Sequence, residues 1–222
     1  MDILEAINKR HAVRSYQDKP LSEDIKKSLK KEIEWCNKES GLNIKLFIDE
    51  PVSFNSFLAR KMKFENVKNY IALSGKNDAD LEEKSGYYGE HLVLKATQLG
   101  LNTCWVAMTF KRRKVRSMLN KDEKLTCVIA LGYGTTDGVS HPVKSINEVS
   151  DVGGKKMPYW FKSGIEAALL APSGMGRQNF MFTLLDDKVK AEMLGTLGSK
   201  VDLGIAKYHF EAAAGKDNFE WH

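Results

Sequence analysis

The stretch LVLKATQLGLNTCWVA, residues 92–107, joins a predicted helix to a predicted buried strand. The apolar residues of the helix recur at spacings of three and four, the period of one helix face, and are Leu92, Val93, Ala96 and Leu99. Gly100 follows as a stop signal, and residues 103–107 form a short apolar run typical of a strand buried on both faces. Residues 126–131 are a second such run. The pattern predicts an α+β chain with buried strands flanked by helices.

The same signals extend in both directions from this stretch. Upstream we predict a short helix through Ile3, Leu4 and Ile7, and a helix that begins at Ser22 with Lys26, Lys27, Lys30 and Lys31 on its solvated face. Strands are predicted at residues 44–48 and 69–73, and a helix around Val115, Met118 and Leu119. Downstream of a connector at residues 137–158 we predict, in order, a helix at 165–170, a strand at 180–185, a helix from Lys188 and a helix at 201–214.

Composition narrows the class of protein. The 222 residues are 42% hydrophobic and 28% charged, which is typical of a globular chain of one large domain or two intertwined ones. The net charge of +5 mildly favours an anionic ligand. Cys36, Cys104 and Cys127 lie far apart, which favours reduced thiols over disulfides or a zinc site. The start MDILE does not resemble a signal peptide, and no apolar run is long enough to span a bilayer, so we expect a cytoplasmic protein without a membrane partner.

The order of elements suggests an internal repeat. Residues 202–215 can be laid on Lys84 through Ala96 so that Gly204 matches Gly86, His209 matches His91 and Ala214 matches Ala96. The helix and strand in residues 25–48 likewise resemble those in residues 165–185. We interpret this as a diverged tandem duplication, with a first repeat at residues 1–150 and a second, shorter one at 151–222.

A basic cluster, Arg10-His11-Ala12-Val13-Arg14, lies where the first helix ends. Three potential cations within five residues suit a phosphate monoester, because each Arg offers paired donors to its oxygens. Basic residues at a helix C-terminus also complement the helix dipole, and local sequence does not separate the two interpretations.

Three further segments are candidates for ligand contact. The first is the small-residue loop at 171–180, in which Gly174 and Gly176 would let the backbone approach a flat ring and Ser173 and Gln178 could bond its edge. The second, Gly132-Tyr133-Gly134, ends a buried strand but lacks the third glycine of a dinucleotide fingerprint. The third holds His141 and Lys144, two more potential phosphate contacts. A plain connection or turn explains each loop equally well by itself.

Other chemistries find little support. The five histidines show no metal-ligand spacing, and neither a G-x-S-x-G elbow nor a P-loop is present. The run Lys111-Arg112-Arg113-Lys114, with Arg116, is interpreted as a solvated helix start, and we expect no nucleic-acid partner.

Together these motifs resemble the superfamily of FMN-dependent nitroreductases and flavin reductases. Its phosphate motif R-[RH]-S-x-[RK] corresponds to residues 10–14 and its A-P-S-x-x-N-x-Q-P-[WF] loop to residues 171–180. Its G-L-G-T-C-W-[IV] strand resembles residues 100–106, its A-L-G-Y strand end resembles 130–133, and an H-x-x-K-S motif resembles 141–145. The late position of the A-P-S loop is similar to a subgroup in which one chain mimics the family dimer. The resemblance implies a nitroreductase-like α/β/α sandwich of two intertwined repeats, each with a mixed or mostly antiparallel sheet.

The resemblance also implies a cofactor and a reaction. One FMN per chain would accept hydride from NAD(P)H at N5 and pass it to a nitroaromatic, quinone or similar acceptor in a ping-pong cycle, with no catalytic side chain. A single chain could then act as a monomer. Family contacts map onto Lys61 and Lys63 beside the pyrimidine ring and onto a backbone N–H in Ser85-Gly86-Tyr87 near N5. The loop residues implied to bind flavin are Pro172, Ser173, Gly174, Met175, Gly176 and Gln178.

Three positions depart from the family pattern. Ala12 lacks the hydroxyl of the family's Ser, Gly176 replaces Asn and Asn179 replaces Pro. A flavin-binding store or redox sensor without turnover is therefore an alternative. A basic nucleic-acid-binding module at residues 111–116 is a third hypothesis.

Overall fold

The computed structural model describes residues 1–186, 188–195 and 199–222, and within these ranges it contains eight α-helices and eight strands. The helices are α1 (Ile3–Lys9), α2 (Glu23–Ser40), α3 (Phe57–Lys61), α4 (Leu81–Gln98), α5 (Arg112–Arg116), α6 (Ile146–Val149), α7 (Tyr159–Leu169) and α8 (Lys200–Ala214). The strands are β1 (Lys45–Phe47), β2 (Asn69–Lys76), β3 (Asn102–Val106), β4 (Glu123–Gly132), β5 (Ser150–Asp151), β6 (Phe180–Leu185), β7 (Lys188–Met193) and β8 (Glu220–Trp221). The predicted α+β class, with sheets flanked by helices, is confirmed.

Helix ends follow the local capping signals. The Ser22 hydroxyl accepts the Ile25 N–H at the start of α2, and Gly41 ends that helix with a φ of 72°. Gly100, with a φ of 78°, follows the end of α4, as the sequence predicts. Short-range chemistry therefore sets these boundaries.

Residues 9–81 and 91–139 form one compact unit. Its sheet has the strand order β1-β2-β4-β3, and all neighbouring strands are antiparallel. The last six residues of β4 are buried, which confirms the prediction of a strand covered on both faces. Residues 10–16 run beside this sheet, where the Val13 N–H donates to the Thr103 carbonyl at 2.9 Å.

Residues 1–8, 82–90 and 140–222 form the other compact unit. Its sheet has the order β5-β6-β7-β8, with one antiparallel pair, β6 with β7, between two parallel pairs. The core of this unit is aromatic: Phe182 stacks on Phe210 with ring centroids 4.8 Å apart, and Phe161 and Trp221 pack around them.

In the same unit, α4 and α8 approach each other closely at two glycines. A Cβ on Gly86 would overlap the Val201 carbonyl and lie 3.0 Å from Ile205 N, whereas a Cβ on Gly204 would overlap the Glu83 carbonyl and lie 2.7 Å from Tyr87 N. The two sets of neighbours are equivalent. In the proposed repeat, Val201 and Ile205 occupy the positions that correspond to Glu83 and Tyr87. Only glycine permits backbones this close.

Three expectations about elements were wrong or incomplete. The predicted helix from Lys188 is strand β7, because pairing with β6 and β8 overrides the helix propensity of its Lys, Ala and Glu residues. α4 begins at Leu81, where the buried Leu81 and the acidic residues of the first turn favour a helix start. The predicted connector also contains α6 and β5.

The cysteine prediction is confirmed. Cys36, Cys104 and Cys127 are free thiols and all three are buried. Burial raises the pKa of the Cys36 thiol to about 12. Among the described residues, no helix combines the length and apolar character that a membrane crossing requires.

Candidate functional site

Arg10 and His11 line one open cavity with about 450 Å³ of empty space. Arg10 is only 5% exposed, so its guanidinium is held largely away from solvent. The other lining residues are Lys9, Thr97, Gly100, Leu101, Asn102, Thr103 and Asp137. Three potential cations, two hydroxyls and an amide therefore line this cavity, together with one carboxylate. The donor set fits a phosphate group.

Exposure differs among the members of this cluster. Arg10 is buried and His11 is partly buried, whereas Ala12 and Arg14 are exposed. Burial raises the pKa of the Cys104 thiol, and the positive charges of Arg14 and Arg10 only partly offset this. Arg14 is exposed, lies outside the cavity lining and places its guanidinium carbon 5.9 Å from the centre of the Phe64 ring.

Lys61 and Lys63 precede Phe64 and Glu65, the two residues that contact Arg14. Lys61 ends α3, and Lys63 follows with a φ of 61°. Both side chains are exposed. The Glu65 N–H donates to the Arg14 carbonyl at 3.0 Å, and Ser15 Oγ donates to the Glu65 carboxylate at 2.9 Å. The segment that contacts Arg14 and Ser15 therefore begins directly after Lys63, at Phe64 and Glu65.

The expected contact from Ser85 and Gly86 to flavin is contradicted. Both residues are buried inside α4, beyond its first turn, where helix hydrogen bonds use the backbone N–H groups. Gly86 is instead required by the close approach to α8. The Ser85 hydroxyl has no hydrogen-bond partner among the described residues.

Gly132, Tyr133 and Gly134 have structural roles. A Cβ on Gly132 would lie 3.0 Å from the Tyr16 ring, and the Gly134 N–H donates to Asn102 Oδ1 at 2.9 Å. The Tyr133 carbonyl accepts the Gln17 N–H, and Lys19 Nζ lies 4.0 Å from the Tyr133 ring centre. Gly132 borders a second cavity with about 600 Å³ of empty space, which none of the other predicted site residues lines.

In the other unit, Gln178 and Lys144 fix the ends of the 171–180 loop. Gln178 is 1% exposed, and its side chain accepts the Lys144 N–H at 2.8 Å and donates to the Leu169 carbonyl at 2.7 Å. Lys144 Nζ donates to the Gln178 carbonyl, and the Gln178 N–H donates to Ser173 Oγ. These side chains already form hydrogen bonds within the protein, so the expected hydrogen bond from Gln178 to the edge of a flavin ring is not supported. His141 is partly buried, with Nδ1 2.9 Å from the Pro142 carbonyl.

The exposed part of this loop is Gly174-Met175-Gly176, which follows the partly buried Pro172 and Ser173. Met175 is 87% exposed and has a φ of 59°, a conformation that costs energy in a non-glycine residue. Arg177 Nη2 lies 3.4 Å from its sulfur. Asp202 lies beneath the turn, where its carboxylate accepts the Gly174 N–H at 3.1 Å.

Sequence reasoning missed part of the cavity around Arg10. Lys9, Asn102 and Asp137 come from three segments distant in sequence, and none of the three was predicted to contact a ligand. Among the described residues, no group of three or more His, Cys, Asp and Glu side chains is arranged to hold a metal ion.

Comparison with protein families gives a match over residues 2–214 to the family described as "Putative TM nitroreductase". The match spans nearly the whole chain. The chain belongs to this family. No curated protein matched the sequence.

Solved structures share the fold. A Thermotoga maritima protein described as a "putative nitroreductase" is 24% identical, with a TM-score of 0.71 over 99% of this chain and 87% of its own. A Desulfovibrio desulfuricans "putative nitroreductase", solved in complex with FMN, is 14% identical, with a TM-score of 0.56 over 71% of this chain and 99% of its own. An FMN- and NADPH-dependent nitroreductase from Sphigopyxis sp. strain HMH is 14% identical, with a TM-score of 0.56 over 70% of this chain and all of its own.

Proposed function

We propose that this nitroreductase-family chain binds one FMN and transfers electrons from NAD(P)H to a nitroaromatic, a quinone or a similar acceptor. The observation that carries the proposal is the cavity at Arg10 and His11, whose cations and hydroxyls match a phosphate group. Support also comes from the two solved structures whose descriptions name FMN and, in one case, NADPH.

In this proposal Lys9, Arg10 and His11 bind the FMN phosphate. Arg10 contributes most, because a largely buried guanidinium interacts more strongly with an anion than a solvated one does. Ala12 contributes only its backbone, since it lacks a hydroxyl. Arg14 acts from the exposed side, as a longer-range positive charge or as a contact that forms when ligand binds.

The exposed Gly174-Met175-Gly176 turn is the proposed ring contact of the 171–180 loop. Gly174 and Gly176 carry no side chain, so their backbone can approach a flat ring. Gln178 bonds to both Lys144 and Ser173, and these bonds hold the turn in place. These residues therefore orient the loop, and Pro172 leads into it.

When bound, FMN supplies the hydride chemistry, accepting from NAD(P)H and delivering to the acceptor. The chain's own residues bind and orient it and tune the charge around it. Lys61 and Lys63 are the proposed cations at the pyrimidine end, where positive charge favours the electron-rich form. No side chain need move a proton in this proposal, so no catalytic acid or base is assigned.

The tandem duplication is proposed on a specific observation. The reciprocal neighbours of Gly86 and Gly204 are those expected when two equivalent helices meet about a local two-fold axis. The basic cluster occurs once in the sequence, at residues 10–14, so we propose one FMN per chain and a monomer as the active form.

Arg10→Gln tests the phosphate assignment when FMN is compared with riboflavin, which lacks the phosphate. We expect the dissociation constant of FMN, measured by fluorescence quenching, to rise by about one to two decades, because a charge-assisted bond is lost. Riboflavin affinity should not change. Arg113→Gln, on exposed α5, is the matched control and should bind both flavins normally. Equal losses for the two flavins would place the phosphate elsewhere.

A further inference from the structure

The positive charge of the chain is concentrated in two segments, residues 56–64 and 107–118. The chain has 34 Lys and Arg and 29 Asp and Glu side chains. Eight of the basic ones and none of the acidic ones lie in these two segments, so the rest of the chain carries a net charge of −3. The eight are Arg60, Lys61, Lys63, Lys111, Arg112, Arg113, Lys114 and Arg116. The overall basicity of the protein is therefore a local property.

The two segments adjoin each other within one compact unit. Ser56 Oγ donates to the Thr109 carbonyl at 3.3 Å, and the Lys111 N–H donates to the Ser53 carbonyl at 2.7 Å. Phe54 and Phe110 pack beneath them, with ring centroids 6.3 Å apart. Residues 56–64 and 107–118 thus form one continuous surface, here called the basic apolar face.

Large apolar side chains project from this face. Phe57 is 78% exposed and Met108 is 80% exposed, and both flank the Ser56–Thr109 contact. Leu58 and Met62 are also exposed. Apolar surface grouped among cations in this way is unusual for a purely solvated face.

Most cations of the face lack acidic partners. Arg112 and Arg116 donate to backbone carbonyls, which fixes α5 to the turns around it. In the described part of the chain, the side chains of Lys111, Arg113 and Lys114 form no ion pair and are exposed. The face therefore presents positive charge that no acidic side chain neutralises among the residues that the structure describes.

We propose that the basic apolar face docks the protein on anionic lipid bilayers. Cations interleaved with exposed Phe, Leu and Met side chains suit an interface where lipid headgroups carry negative charge and acyl chains accept apolar groups. Nucleic acid would use the cations but offers no apolar layer for Leu58, Met62 and Met108. An acidic protein would require a pocket for each projecting side chain. Docking of this kind needs no membrane-spanning segment, and so revises the expectation of no membrane partner.

Sedimentation with vesicles tests the proposal. The full chain is mixed with phosphatidylcholine vesicles containing about 30% phosphatidylglycerol, and separately with vesicles of phosphatidylcholine alone. We expect binding only to the anionic vesicles. The variant Lys111→Gln/Arg113→Gln/Lys114→Gln should bind about 100-fold more weakly, since each cation near an anionic surface contributes about fivefold. The variant Phe57→Ser/Met108→Ser should bind at least about tenfold more weakly, because acyl contact is lost.

Matched controls separate this face from general charge. Lys27→Gln/Lys30→Gln/Lys31→Gln removes three exposed lysines of α2 and should retain binding, as should Val139→Ser/Val143→Ser. Lys61 and Lys63 are left unchanged because they are proposed flavin contacts. Circular dichroism confirms folding of each variant. Equal losses in the α2 control, or full binding by Phe57→Ser/Met108→Ser, would overturn the proposal, because the latter would show that charge alone accounts for the binding.

Discussion

Asp202 lies beneath the exposed turn at residues 174–176 and forms a hydrogen bond to it. Its carboxylate accepts the Gly174 N–H at 3.1 Å, and a Cβ on Gly174 would lie 3.2 Å from the same oxygen. Burial raises the pKa of this carboxyl, and the bond from Gly174 only partly offsets that. The proposed ring-binding turn therefore lies over a carboxylate whose ionised form the fold disfavours.

This pKa shift predicts how Asp202→Asn changes stability. A carboxyl whose pKa is raised in the folded protein contributes stability at low pH, and that contribution is lost as pH rises through the folded pKa. The asparagine variant stays neutral and can still accept the Gly174 N–H. We expect its thermal midpoint to exceed that of the wild type by about 2–4 °C at pH 7, with the difference shrinking as pH falls toward 4.

The control for Asp202 is Asp186→Asn. Asp186 is exposed and bonds to Lys155, which lowers the pKa of its carboxyl. The Asp186 carboxyl therefore contributes to the stability of the fold at neutral pH, and this contribution is lost as pH falls, the opposite of the behaviour of Asp202. A midpoint difference for Asp202→Asn that grows toward low pH would contradict the account.

At the scale of elements, the crossing of α4 and α8 depends on Gly86 and Gly204. Helix propensity alone predicts that Gly204→Ala stabilises α8 by about 1 kcal/mol. The added Cβ would overlap the Glu83 carbonyl, which is backbone and cannot rotate away.

We therefore expect Gly204→Ala to lower the free energy of unfolding by about 3 kcal/mol or more, measured by urea denaturation. Ala213→Gly, in the same helix away from the crossing, serves as the reference for propensity and should cost about 1 kcal/mol. A gain in stability for Gly204→Ala would show that the helices are farther apart than described.

The same pair of helices encloses a buried His209–Glu90 pair. His209 Nδ1 lies 3.0 Å from the Ala167 carbonyl, and Nε2 lies 2.8 Å from Glu90 Oε1. Because a carbonyl only accepts, Nδ1 carries a proton. Both side chains are fully buried, so each depends on the other for hydrogen bonding at that position.

His209→Leu should cost about 3–5 kcal/mol of unfolding free energy, since it leaves a buried acid without this partner. The double variant with Glu90→Leu should cost less than the sum of the two single variants, because both polar groups are then removed. Urea denaturation of the four proteins measures the coupling. Strict additivity would mean that the two side chains do not interact.

At the scale of the whole molecule, family membership and the α+β fold could be read from the sequence, because local signals are strong. Ser22, Gly41 and Gly100 cap helices through contacts within a few residues. The apolar run at 126–131 correctly predicts a buried strand, whereas in the run at 103–107 Trp105 is partly buried and Ala107 is exposed. Such features do not depend on distant parts of the chain.

The features that could not be read depend on distant partners. β7 is rich in helix formers, and only pairing with β6 and β8 makes it a strand. The cavity around Arg10 adds Asn102 and Asp137, which no spacing rule connects to residue 10. The sequence around Gln178 does not show whether its side chain bonds a ligand or other residues of the protein. In the structure it bonds Lys144 and Leu169.

Spectral titration with FMN tests the central claim most directly. We expect the flavin absorbance bands of FMN added to the purified chain to shift and saturate at about one equivalent per chain, and NAD(P)H to bleach the bound flavin with recovery on addition of a quinone or nitroaromatic acceptor. Absence of saturable FMN binding would contradict the proposed function, and binding without NAD(P)H bleaching would contradict its oxidoreductase part.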